Sequence, residues 1–449
     1  MLGLLLSTYL VKQILRLRPS ADDYCSAAGV ARQGVLQISI DQYLTWSGDV
    51  TLILANNVLV GLPLSALPVN LSALPAQTIV IVLFAVFIAM VLRANAQAHF
   101  WKTVVFTPLI ALSYWWLPAT WALPQNYAEM HQMITSWQTV TLSYVCAPLA
   151  SGILLFNVWN YLIEPSDKSC SRSIWVLLVP SGVIAMSGLS LSATWLAALS
   201  CMVLLARSSQ MRTMAVGKLA VWVFPSWAIG FGISWFAPGL QKRRDLLDSL
   251  ESSPVRNWNL ETVLDWLLLP VLRNFAFSLF SVQVIFVVGF TFLLSNFFAK
   301  PDWDRTHRNL RASLMFAAVL ICTSFFSLLI ARLGQASTYE AEWHFIPSQT
   351  FILLAAVTVG LSFGTRRTEI YLLGRTSLMR ISLFACCLAI VVVPVMSNFE
   401  NSIAIRASQW DVGPIRAAPH IGDIESEWIL DCWKDIVDTN DHITDRISG

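Results

Sequence analysis

The feature that most constrains this chain is the recurrence of apolar runs close to the length of a bilayer-spanning helix, such as "MFAAVLICTSFFSLLIA" at 315–331. A spanning helix needs about 20 mainly apolar residues, with a range of about 17–25. Eleven stretches approach that length: 1–17, 77–92, 103–118, 139–163, 174–189, 190–206, 219–236, 271–298, 312–333, 347–364 and 380–397. Of the 449 residues 56% are hydrophobic and only 12% charged, at a mean hydropathy of +0.62. Soluble domains carry roughly 25% charged residues. The expected fold is therefore an all-α polytopic membrane protein of about eleven transmembrane helices. Tryptophans near the ends of the runs, as in "SYWWLPATW" (113–121) and "FPSWAIGFGISWF" (224–236), suit aromatic belts at the two interfaces. The opening "MLGLLLSTYLVKQILRL" has no basic n-region and no A-x-A site, which reads as a short first span rather than a cleaved signal peptide.

Sidedness follows from lysine and arginine, which collect in short cytoplasmic loops. With the N-terminus inside, the loops 93–102, 164–173, 207–218, 299–311 and 365–380 fall on the cytoplasmic side, and each carries basic residues. The segments 18–76, 119–138, 237–270, 334–346 and 398–449 then lie outside. Residues 51–68, "TLILANNVLVGLPLSALP", are apolar but interrupted by Asn56, Asn57, Gly61 and two prolines. Reading them as a crossing would put all five basic loops outside, so a helix lying on the membrane is expected. The organisation is then a bundle over 1–397, with an outer juxtamembrane loop at 18–76, and a small extracytoplasmic tail at 398–449.

Two outer features stand apart. Asp22 and Asp23 sit side by side just beyond the first run, in "RLRPSADDYCSAAGV" (16–30). Adjacent carboxylates resist ionising together, which suits a base, a metal ligand or a cation contact. The same residues after Pro19 also suit ordinary helix capping. The second feature is the basic cluster Lys242, Arg243 and Arg244, on the side where positive charge is not expected. It fits a lipid-linked phosphate, or intrahelical pairing with Asp245, Asp248 and Glu251.

Glu340, Glu342 and His344 form a further outer group, and His344 has the chemistry of an acid or base near neutral pH. Arg273 and Arg332 fall near the outer ends of their runs, where an arginine faces a cavity, a phosphate or a carboxylate, or snorkels outward. The eight cysteines form no CxxC pair or metal-spaced cluster. Cys25 and Cys432 are the two assigned outside, either bridged or as free thiols. No Gly-rich nucleotide loop, HExxH or GxSxG occurs, and nothing points to nucleic acid.

Three local stretches carry a family resemblance. "SADDYC" with "YLTWSGD" (43–49), "FAPGLQKRR" (236–244) and "IRASQWDVGPIRAA" (405–418) are similar to motifs of bacterial GT-C glycosyltransferases that use polyprenyl-phosphate sugars. Asp49 stands where those motifs have Arg, and Leu240 where they have Asn.

The resemblance implies a catalytic centre at Asp22 and Asp23, one of them the base. It implies Lys242, Arg243 and Arg244 as contacts to the donor phosphate, and Arg273 and Arg332, by their place at the outer ends of their runs, are further candidates for the same role. Tyr24, Trp46, Glu340, Glu342 and His344 become candidate substrate contacts, and a divalent metal, Mg or Mn, held through Asp22 or Asp23, stays open. The implied partners are the bilayer, a polyprenyl-phosphate sugar donor and a glycan, lipid or protein acceptor. The implied location is a bacterial inner or plasma membrane, with the C-terminus extracytoplasmic. A transporter or flippase of a lipid-linked sugar, and a non-catalytic assembly protein, are the competing readings.

Overall fold

The computed structural model describes residues 21–45, 47–67, 69–95, 138–163, 179–208, 213–242, 263–298, 303–334 and 345–364. The expected spans 1–17, 103–118 and 380–397 and the tail 398–449 lie outside the described residues. Every described element is helical, with no strand among them. Besides two short helical pieces, Val69–Ser72 and 238–242, they are in chain order α1 (Ala21–Thr45), α2 (Val50–Ala66), α3 (Leu74–Asn95), α4 (138–163), α5 (179–185), α6 (Leu189–Ser208), α7 (Thr213–Trp235), α8 (263–279), α9 (Val282–Phe298), α10 (Trp303–Gly334) and α11 (Phe345–Gly364).

Four of these helices hold stretches long and apolar enough to cross a bilayer: Leu74–Ala94, Leu142–Leu162, Leu310–Leu333 and Ile346–Phe363. They coincide with four of the expected runs, and mark the chain as a membrane protein. α2 and Leu189–Leu205 of α6 are apolar but shorter. The expected run 271–298 is not one helix. α8 ends at Leu279, and α9 starts afresh at Val282. Ser281 makes the break by giving the new helix an N-terminal cap, its Oγ accepting from the Val284 amide at 3.3 Å. The run expected at 219–236 begins earlier, at Thr213, so Lys218 is helical rather than part of a loop.

The core is built where α3, α4, α6, α10 and α11 meet. Phe87, Phe156 and Phe316 form an edge-to-face chain from α3 through α4 to α10, with ring centroids 6.2 and 5.1 Å apart. Trp159 and Trp195 are fully enclosed beside them. In lipid, helices gain little from hydrophobic exclusion, so close packing and interhelical hydrogen bonds hold them together. Both devices are present. The Ser324 and Ser348 hydroxyls meet at 2.6 Å between α10 and α11, the Ser295 hydroxyl donates to the Leu361 carbonyl at 2.8 Å, and the Trp159 indole donates to the Ala312 carbonyl at 2.9 Å. On α11, Gly360 lets the backbone of α9 approach so closely that a Cβ would stand 2.5 Å from the Val288 carbonyl oxygen.

α1 and α2 form a layer of their own. α1 is bent at Gly34, whose φ of 78° belongs to the left-handed region that glycine adopts without strain. The two arms fold towards each other, so that a Cβ on Gly29 would stand 2.7 Å from Ile38. α2 packs against both arms. It carries a π-turn at Asn57–Gly61, and Asn56 and Asn57 are both buried. Neighbouring residues on a helix point about 100° apart, so the two amides reach different arms: Asn56 contacts Ser26, and Asn57 contacts Ser39 and Gln42. The expectation of a helix over 51–68 agrees with Val50–Ala66.

Candidate functional site

Asp22 and Asp23 lie in the first turn of α1, where negative charge is favoured by the helix dipole. The Asp23 side chain is wholly buried. Its carboxylate accepts from the Thr139 hydroxyl at 2.6 Å, the Thr139 amide at 3.0 Å and the Gln138 amide at 3.4 Å. These amides belong to the first turn of α4, where backbone N–H groups have no carbonyl of their own helix to meet. Asp23 therefore caps α4 from another helix. The capping chemistry that the local sequence left open is present, but it serves an element 116 residues further on.

The contact extends into a buried polar seam. The Thr139 hydroxyl is also 2.9 Å from Asn56 Oδ1, and Asn56 Nδ2 is 2.6 Å from the Ser26 hydroxyl. One hydroxyl proton cannot serve two oxygens. With that proton given to the carboxylate, the seam closes if the Asn56 amide is turned over, its nitrogen donating to Thr139 and its oxygen accepting from Ser26. Beside it, the Gln77 amide of α3 donates to Gln138 at 3.1 Å, which brings the starts of α3 and α4 together.

The turn joining α1 to α2 reaches other helix ends. Gly48 lies against the Ser234 carbonyl and is close to Ala237, where a Cβ would stand 3.1 Å from the Ala237 side chain. The Tyr43 hydroxyl donates to the Ile233 carbonyl at 3.0 Å. The Thr51 amide and hydroxyl donate to Met186 and Val183 at 3.1 and 2.9 Å. Gly188, at a φ of 120°, starts α6 with the Asp49 carboxylate beside it. The aspartate found where the resembling motifs have arginine thus sits at a helix N-terminus, a favourable place for an anion.

These contacts gather the starts of α3 and α4, the turn between α5 and α6 and the end of α7 at one end of the bundle, under the α1–α2 layer. A short helix over 238–242 follows α7 at that same end and carries Lys242, which is exposed. Arg273 on α8 is exposed, with its guanidinium 5.7 Å from the centre of the Phe277 ring. Arg332 is half-buried near the end of α10. The side chains of Asp22 and Tyr24, and residues Trp46, Arg243, Arg244, Glu340, Glu342 and His344, lie outside the described part of the molecule.

Among the described residues no three His, Cys, Asp or Glu side chains come together to hold a metal ion. The Asp23 carboxylate accepts N–H and O–H donors of α4 at both of its oxygens, so it is engaged in holding that helix. Cys25, on the same turn of α1, is disulfide-bonded to a residue outside the described part. Sequence reasoning missed Thr139 and Ser26 altogether. In the sequence Asn56 is an interruption of an apolar run, and that interruption is the one available signal.

Comparison with protein-family models, with curated proteins and with solved structures finds no match to this chain.

Proposed function

We propose that the chain is a GT-C-like membrane glycosyltransferase of about eleven spans. It moves a sugar from a polyprenyl-phosphate donor to an acceptor hydroxyl at the extracytoplasmic face. The single observation that carries this reading is the seating of Gly48 against Ser234 and Ala237. It joins the "WSGD" stretch to the start of "FAPGLQKRR", two motifs nearly two hundred residues apart in the chain. The acidic turn of α1 reaches the same end of the bundle through Thr139. A base and a cationic phosphate contact need to share one end of the molecule, and the observed contacts are what such a site requires.

α3 and α4 also begin at the same end and so run in the same direction, which a return crossing at 103–118 would account for. In the reaction a carboxylate of the acidic pair removes the acceptor proton as its oxygen attacks the anomeric carbon, inverting that centre. The bond to the donor phosphate oxygen breaks, and Lys242 with its basic neighbours offsets the negative charge left on the lipid phosphate. Base assistance of this kind contributes about 10²–10⁴-fold.

The test is transfer from short-chain polyprenyl-phosphate sugars to a hydroxyl acceptor by the full chain in proteoliposomes. Loss of transfer in Asp22→Asn or Lys242→Ala protein that inserts and folds normally supports the enzyme. Movement of intact lipid-linked sugar between leaflets without transfer would favour the flippase reading instead.

A further inference from the structure

The environment of Asp23 suits a structural task. Asp23 is buried to 0% exposure, and three donors from α4 converge on it, two of them backbone amides that no substitution at 138 or 139 other than proline removes. A carboxylate enclosed in this way holds its helix in place, and it is poorly disposed to take a proton from an incoming hydroxyl. Reaching a substrate would require breaking the cap on α4, which leaves first-turn amides buried without partners, at about 1–3 kcal/mol for each group.

Resting on the glycosyltransferase reading, we propose that Asp23 is a positioning residue which, with Thr139 and Asn56, fixes the first turn of α1 on the N-terminus of α4. Asp22 is then the base. The seam sets where the backbone of residue 22 stands, because residue 23 is bound to a spanning helix from one side and Ser26 to α2 through Asn56 from the other. Two attachments three residues apart leave a single turn of helix little freedom to shift. The base is thereby carried on a rigid element, which is what a catalytic group requires to hold its geometry.

The experiment compares Asp22→Asn, Asp23→Asn, Thr139→Val, Thr139→Ser and the Asp23→Asn/Thr139→Val double variant, all in the full chain in proteoliposomes. Stability is read from thermal unfolding, and transfer from the same polyprenyl-phosphate sugars. Asp23→Asn and Thr139→Val are expected to lower the unfolding midpoint, the double variant no further than the worse single one, and Thr139→Ser to restore it. Asp22→Asn is expected to lower the midpoint less than Asp23→Asn does and to lose transfer by about 10²-fold or more. Thr139→Val is expected to lower kcat by about 10–10²-fold, as misplacement of a catalytic group does, with KM for the donor unchanged and kcat recovered in Thr139→Ser.

Wild-type midpoints for Asp23→Asn and Thr139→Val, or fully additive losses in the double variant, would overturn the positioning role. Retained turnover in Asp22→Asn, beside lost turnover in a stable Asp23→Asn protein, would reverse the assignment. Absence of transfer by the wild-type protein removes the glycosyltransferase reading and the base assignment with it, while the unfolding cycle still decides whether Asp23 anchors α1 to α4.

Discussion

The Thr139 hydroxyl stands 2.6 Å from the Asp23 carboxylate, tying the first turn of α1 to the first turn of a spanning helix. Asn56 completes this link from α2, 2.9 Å from the same hydroxyl. Replacing Asn56 with Ala removes the side-chain partner of Ser26 inside a buried seam and one of the two partners of the Thr139 hydroxyl. The expected cost is about 1–3 kcal/mol per stranded polar group, read as a lowered unfolding midpoint in detergent. Ser65→Ala, at an exposed hydroxyl on the same helix that bonds only to its own backbone, is expected to leave the midpoint unchanged.

Gly360 permits the contact between α11 and α9. An added methyl would meet Thr291 and the Val288 carbonyl, and a backbone oxygen moves only with its helix. Gly360→Ala is expected to destabilise by about 1–3 kcal/mol through overpacking. Gly232→Ala on α7, where nothing lies within 4 Å of the added atom, is expected to be neutral or stabilising, since Ala is the better helix former. Unfolding of the two variants side by side checks both signs.

Gly48 plays a comparable part between the α1–α2 turn and the end of α7. Gly48→Ala forces the turn away from Ser234 and Ala237, and so away from the helix that carries Lys242. On the proposed function this variant binds donor more weakly, by about tenfold for each 1.4 kcal/mol lost. A raised KM for the polyprenyl-phosphate sugar is the measurement. An unchanged KM would count against the joint role of the two motifs.

The second arm of α1 exposes Leu36, Ile40 and Leu44, and α2 exposes Leu54, Val58 and Leu62, each set at four-residue spacing along one face. Both helices end or begin within one layer at the end of the spanning helices. Apolar stripes in that place are expected to rest in the interfacial region of the bilayer. A spin label at residue 36 or 54 in proteoliposomes should be reached by oxygen more than by a water-soluble nickel complex. A label at the exposed Gln37 should give the opposite ratio.

Cys25 is disulfide-bonded, whereas Cys146, Cys201 and Cys322 are free. A disulfide of this kind persists in an oxidising compartment, which is what the proposed function requires of the start of α1. Without reductant Cys25 should resist alkylation, and after reduction it should react. Mass spectrometry of the unreduced digest is expected to join the Cys25 peptide to that of Cys432, the other cysteine assigned to the same side.

How much of this was legible beforehand differs from element to element. The runs at 77–92, 139–163, 312–333 and 347–364 could be read directly, because a span is defined by length and apolarity, which are properties of a local segment. The break at Phe280–Ser281 could not, since one serine inside an apolar run only becomes a helix stop when its hydroxyl caps the next helix. The acidic pair was visible as an oddity, and so was the choice between capping and chemistry.

By itself, then, the sequence determined that the chain is helical, that it enters a membrane, and that scarce charges are concentrated in a few short stretches. Only the tertiary structure decided that Asp23 serves α4 and that Gly48 meets the end of α7. It also split the roles of two neighbouring asparagines. The physical reason is that a hydrogen bond or a backbone contact between two different helix ends or arms leaves no periodic trace in either segment. Each partner satisfies the ordinary rules of its own helix, and their pairing depends on where the packed bundle puts their ends.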